Sequence, residues 1–134
     1  MLSKKKRTIF IGQSVEYSGN AIYNTLQDIP SHKKLELPVF EEVQMGMSLG
    51  LAMDGYIPIS IYPRFDFLLL SCNQLINHLD KIKAMSERQF QPKVIIRTSV
   101  GSKKPLNGGV QHTQDYTNVF KKALKEVEVI FLKD

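Results

Sequence analysis

An α/β fold, a mainly parallel sheet with helices on both faces, is what this sequence predicts. Short β-branched and apolar runs recur along its 134 residues, most of them closed by Gly or Pro. Helical stretches separate these runs, and such alternation builds a parallel sheet covered on both sides. In sheets of this kind ligands bind beyond the carboxyl ends of the strands.

Each element has its own signal. Thr8-Ile9-Phe10-Ile11 reads as a strand closed by Gly12. Residues 20–27 suit a short helix that stops before Pro30, and Leu35-Glu36-Leu37 is a brief extended piece kept from helix by Pro38. Residues 41–53 form a helix with apolar residues on most sides, so it is expected to be buried. Gly46 and Gly50 lie one turn apart on it, which predicts close packing of another helix, in this chain or a second subunit. Residues 57–62 are a strand, and 65–85 the longest helical stretch, apolar first and amphipathic later. Val94-Ile95-Ile96-Arg97 reads as a buried strand, 99–109 as a loop, 113–125 as a helix and 127–132 as a final strand.

Composition narrows the function classes. With 43% hydrophobic and 23% charged residues the chain is ordinary for a globular domain. The expected organisation is a basic tail over 1–7 and a single domain over 8–134. One cysteine, Cys72, excludes internal disulfides and suggests a reducing compartment. The apolar run at 8–12 is too short for a signal peptide or membrane span, so a cytoplasmic protein is expected. The net charge of +5 comes largely from Lys4-Lys5-Lys6-Arg7. Nucleic-acid binding would interleave basic residues with exposed aromatics. Here the aromatics fall in apolar elements, so the charge suits an anionic ligand or an acidic partner instead.

Several residues could carry chemistry. Glu41 and Glu42 open the 41–53 helix, where carboxylates complement the dipole. One of the pair is expected to point inward, partly desolvated and able to share a proton. Phe65 and Phe67 flank Asp66 just after the 57–62 strand; aromatics there are core, or one stacks on a flat heterocycle. His112 follows a glycine-rich loop at the end of a strand, where catalytic side chains collect.

The order of these signals resembles the pyrimidine-binding domain of thiamine diphosphate enzymes, in particular the beta subunit of 2-oxoacid dehydrogenases. That family has Pro-x-Ser-Glu, a helix with two glycines four apart, and Gly-x-x-Pro before a strand. Here these are Pro38-Val39-Phe40-Glu41, Gly46 with Gly50, and Gly55-Tyr56-Ile57-Pro58. Its Phe-x-Phe and Gln-x-x-Asn match Phe65-Asp66-Phe67 and Gln74-Leu75-Ile76-Asn77, and its Gln-His-Ser-Gln matches Gln111-His112-Thr113-Gln114. Transketolases share the glutamate helix but carry a shorter gap after the aromatic strand end. The resemblance spans about residues 8–132.

There are departures. Gln13-Ser14 stands where the family has Glu-Asp, Phe40 replaces a small hydroxyl residue, and a longer loop, 102–109, precedes His112. The Gly-Asp-Gly and Asn signature of the diphosphate–magnesium site is absent from the sequence. The resemblance therefore implies thiamine diphosphate as cofactor, with Mg and the diphosphate held mainly by a partner subunit or domain. It implies that Glu41 hydrogen-bonds the aminopyrimidine ring nitrogen and that Phe67 stacks on the ring. Phe65 and Tyr62 would wall the pocket, and His112 would face the substrate as a proton donor. The rival expectation is a non-catalytic interaction or regulatory module that retains the fold.

Overall fold

A computed structural model describes residues 2–132; residues 1, 133 and 134, the outer limits of the two expected spans, lie outside the described residues. Four parallel strands form one sheet: β1 (Thr8–Gly12), β2 (Lys34–Glu36), β3 (Ile57–Ile61) and β4 (Ile95–Arg97), in the order β2-β1-β3-β4. The central pair registers Phe10 on Ile59 and Gly12 on Ile61. The outer pairs register Ile11 on Leu35 and Ser60 on Ile96.

The side-chain period of two sorts the sheet into two faces. Phe10, Ile59 and Ile61 point to one, where Val15, Ile22 and Leu26 of the segment containing α1 (Ala21–Asn24) complete a core. Ser60 and Tyr62 belong to the other. It is covered by α2 (Glu41–Met53), α3 (Phe65–Leu68) and, further along the chain, α5 (Thr117–Ala123). Between α3 and α5 lie a π-helical segment, Asn73–Leu79, and α4 (Ile82–Met85). Helices thus flank both faces of an all-parallel sheet.

Four local expectations are corrected. The 65–85 stretch is not one helix: Ser71 Oγ bonds back to the Leu68 carbonyl at 2.9 Å, and the chain passes through a 3-10 turn, Leu69–Ser71, into the π segment. The 113–125 helix starts only at Thr117, because the Asp115 side chain accepts the Thr117 amide at 2.8 Å. The 94–97 strand is the outer strand among the described residues rather than a buried one, and Ile95 is exposed. Residues 127–132 make no strand pairing among the described residues. The Asp80 carboxylate takes the successive backbone amides of Lys125, Glu126 and Val127 and turns the chain aside. That segment leaves a cleft of about 520 Å³ beside β4, lined by Phe65, Ile96, Phe120 and Val129.

The 41–53 helix forms over the expected residues but is buried along one stripe only, rather than on most sides. Glu41, Gln44, Met45, Ser48 and Ala52 face the sheet, while Val43, Met47 and Met53 are exposed. The polar stripe is tolerated because it is largely hydrogen-bonded, although Gln44 Oε1 has no partner among the described residues. Gln44 Nε2 donates to the Ile61 carbonyl at 2.9 Å and to Ser60 Oγ at 3.1 Å, and Ser48 Oγ donates to the Gln44 carbonyl. No described atom outside the helix lies within 4 Å of a Cβ placed on Gly46 or Gly50. The close neighbour expected on that face is therefore not found within the described residues of this chain.

Candidate functional site

The carboxyl ends of β1, β3 and β4 lie side by side; Tyr62, Phe65 and Phe67 follow β3, His112 follows β4, and Glu41 opens α2 after β2. Gly12 ends β1 at φ +150°, a left-handed conformation, and a Cβ there would strike the Ile61 carbonyl and come within 2.9 Å of Gln44 Nε2. Glycine is required because Gln44 bridges the two strands directly above it. The chain then turns through Ser14, also at positive φ, with the amides of Ser14, Val15 and Glu16 on the Glu36 carboxylate at 2.6, 2.7 and 2.8 Å. Three bonds to one carboxylate fix this loop and, with it, Gln13.

Gln13 reaches the first predicted residue. Its Nε2 donates to Glu41 Oε1 at 3.0 Å in a buried contact. Glu41 is 4% exposed and Glu42 points outward, accepting long bonds at 3.4 Å from Asn73 and Gln74. Among the described residues Glu41 Oε2 takes no hydrogen bond, and no Lys, Arg or His pairs with the carboxylate. Tyr62, fully buried just past β3, donates its hydroxyl to the Glu41 backbone carbonyl at 3.3 Å. Burial pushes the Tyr62 hydroxyl above its usual range; the Ser60 and Ser71 hydroxyls pull it back, and the nearby Glu41 charge raises it further.

A second group forms at the loops after β3 and β4. The Tyr62 amide bonds the Arg97 carbonyl and the Phe65 amide the Ser99 carbonyl, both at 2.9 Å, so the two loops are tied together. Arg64 Nη1 donates to the His112 carbonyl at 3.3 Å, and a Cβ on Gly101 would collide with that same carbonyl. This packing sets the His112 ring edge-to-face on half-buried Phe67, with centroids 5.6 Å apart and planes at 83°. His112 Nδ1 also lies 3.0 Å from the Gly108 carbonyl. Between the two phenylalanines, both Asp66 carboxylate oxygens are shielded from solvent without a hydrogen-bond partner among the described residues.

The structure thus brings Glu41 to Tyr62 and Phe67 to His112. Phe65 is in the core, stacked on Phe120 at 5.4 Å and edge-on to Tyr116 at 5.7 Å. The 520 Å³ cleft beside β4 is not lined by Glu41, Phe67 or His112, so size alone does not mark the chemistry. Sequence reasoning did not select Gln13, Gln44 or Arg64. A signal existed for the first two. Gln13 directly follows a strand-closing glycine, and Gln44 is a polar residue one helical turn after Glu41 in an apolar helix.

A carboxylate with one oxygen held and the other open suits a ring nitrogen and its proton, and an aromatic near a loop histidine suits a flat heterocycle. Glu41 and Phe67 each have the chemistry that the aminopyrimidine half of thiamine diphosphate calls for. Among the described residues no group of three or more His, Cys, Asp or Glu could hold a metal ion. No helix among the described residues is long and apolar enough to cross a membrane.

No family model matches the chain. Curated relatives do. It is 27% identical over 123 residues to the pyruvate dehydrogenase E1 component subunit beta of Chlorokybus atmophyticus, covering 89% of this chain and 36% of that protein. The same subunit from Gracilaria tenuistipitata var. liui is 32% identical over 112 residues, 80% of this chain and 34% of the relative. The 2-oxoisovalerate dehydrogenase subunit beta of Bacillus subtilis is 23% identical over 122 residues, 89% and 37% respectively. The chain spans about a third of the length of these relatives. Over most of its own length it is therefore a homologue of the beta subunits of 2-oxoacid dehydrogenases.

Proposed function

We propose that this chain is the pyrimidine-binding subunit or domain of a thiamine diphosphate-dependent enzyme acting on a 2-oxoacid or ketose. It would work with a partner that supplies the diphosphate–magnesium site. The observation that carries the reading is Glu41: a buried carboxyl at a helix start, with one oxygen held by Gln13 and the other without a partner among the described residues. When bound, the cofactor supplies the activated carbon that attacks a carbonyl. The protein supplies binding, orientation and electrostatics.

Glu41 accepts or shares the proton of the aminopyrimidine ring nitrogen through its open oxygen. Tyr62, anchored on the Glu41 backbone, fixes the start of α2 and so the direction of that carboxylate. Phe67 offers a ring to the pyrimidine, and Phe65 and Tyr62 wall the pocket from the core side. His112, oriented by Gly108 and Phe67, meets the substrate as a proton donor. The single, partly buried Cys72 suits a reducing compartment such as the cytoplasm.

A second reading has its own support. The α2 face with Val43, Met47, Gly46 and Gly50 is uncovered by the described residues of this chain, and Val39 and Phe40 stand exposed beside it. Such a face suits a subunit interface whether or not catalysis survives, as a non-catalytic interaction module would need.

Titration calorimetry distinguishes the two. The chain alone is expected to bind thiamine diphosphate weakly, with or without magnesium, and to bind it firmly once co-expressed with a diphosphate-binding subunit. Assembly with that subunit without any cofactor binding would favour the interaction module. Tight magnesium-dependent binding by the chain alone would overturn the need for a partner.

A further inference from the structure

We propose that Gln13 is the positioning residue of Glu41: its side-chain amide pins Oε1, fixes the carboxyl plane, and leaves Oε2 as the oxygen that meets a ligand. The inference rests on the aminopyrimidine reading of Glu41 and adds to it the group that sets its geometry.

Three observations carry it. The contact is buried on both sides, with Gln13 8% and Glu41 4% exposed, and it measures 3.0 Å from amide nitrogen to carboxylate oxygen. Gln13 is not free to wander. Gly12 before it is locked against Ile61 and Gln44, and the three amides after it are bound by Glu36. Finally, among the described residues no other side chain donates to the carboxylate, and no cation lies within ion-pair distance.

The amide matters chemically because it donates a hydrogen bond yet cannot take a proton at neutral pH. Oε1 stays engaged throughout, so the carboxylate plane is fixed before a ligand arrives, which is the condition for a proton shared along one direction.

Isotope-edited infrared spectroscopy tests this on the full chain without any cofactor. With glutamate labelled at the side-chain carboxyl, the difference between wild type and Glu41→Gln isolates the Glu41 bands. In the wild type the Glu41 stretch should be narrower than that of a solvated glutamate and displaced from it. Gln13→Met, which keeps the bulk and removes the donor, should move the stretch toward the solvated position and broaden it. A wild-type stretch as broad as that of a solvated glutamate, and at its position, overturns the proposal even if the variant does not fold, and so does a stretch unmoved in folded Gln13→Met. Thiamine diphosphate is absent from this experiment, so its outcome is separable from the calorimetric test of the cofactor reading.

Discussion

Asp80 and Glu41 are both carboxylates at the ends of helical segments, 3% and 4% exposed, yet they are held in opposite ways. Asp80 is saturated. Its oxygens accept from the backbone amides of Lys125, Glu126 and Val127 at 2.9 to 3.1 Å, which fastens the end of α5 to the π-helical segment. Glu36 does the same for the amides of residues 14–16 at the end of β2. Among the described residues Glu41 has one side-chain donor and an oxygen without a partner. A burial cost met by the backbone marks a structural carboxylate, whereas one left half-met marks a group with a valence reserved for something else.

That contrast can be broken by truncation. Asp80→Ala strands three amides at once, and hydrogen bonds to a charged group count for more than neutral ones. The expected loss is roughly 3 kcal/mol or more in a denaturant melt. Glu36→Ala frees the loop behind Gln13 from a half-buried site where water can replace part of the lost bonding, so about 2 kcal/mol is expected. Glu41→Gln should cost under about 1 kcal/mol, since the new amide oxygen still accepts from Gln13. If Glu41→Gln were as costly as Asp80→Ala, the two carboxylates would be the same kind of group and the comparison would fail.

The sequence was most legible where local signals and tertiary packing agree. The strand at 8–12, the helix at 41–53 and the strand from Ile57 formed within a residue of their expected limits, because β-branched runs and Gly or Pro punctuation set them locally. Legibility failed where a side chain from elsewhere captured the backbone. Asp80 took the amides of residues 125–127, 45 to 47 positions away, and no periodicity in 127–132 encodes that. Ser71 did the same locally inside the expected 65–85 helix, and Asp115 near the start of the 113–125 one. At the site, the inward turn of Glu41 and outward turn of Glu42 follow from helical geometry, which separates neighbours by about 100°. The pairing of Gln13 with Glu41 crosses 28 residues and needs the β1 loop to be bent by Glu36 first.

The measurement that bears most directly on Glu41 is hydrogen–deuterium exchange at the thiazolium carbon of thiamine diphosphate bound to the chain assembled with its diphosphate-binding partner. If the open oxygen of Glu41 engages the pyrimidine, Glu41→Gln should slow that exchange by a factor of roughly 10² to 10⁴, the range of a positioned acid or base. Glu42→Gln, whose side chain points to Asn73 and Gln74, should leave it near the wild-type rate. Exchange that is slowed by Glu42→Gln and unaffected by Glu41→Gln, or unaffected by both, would contradict the assignment.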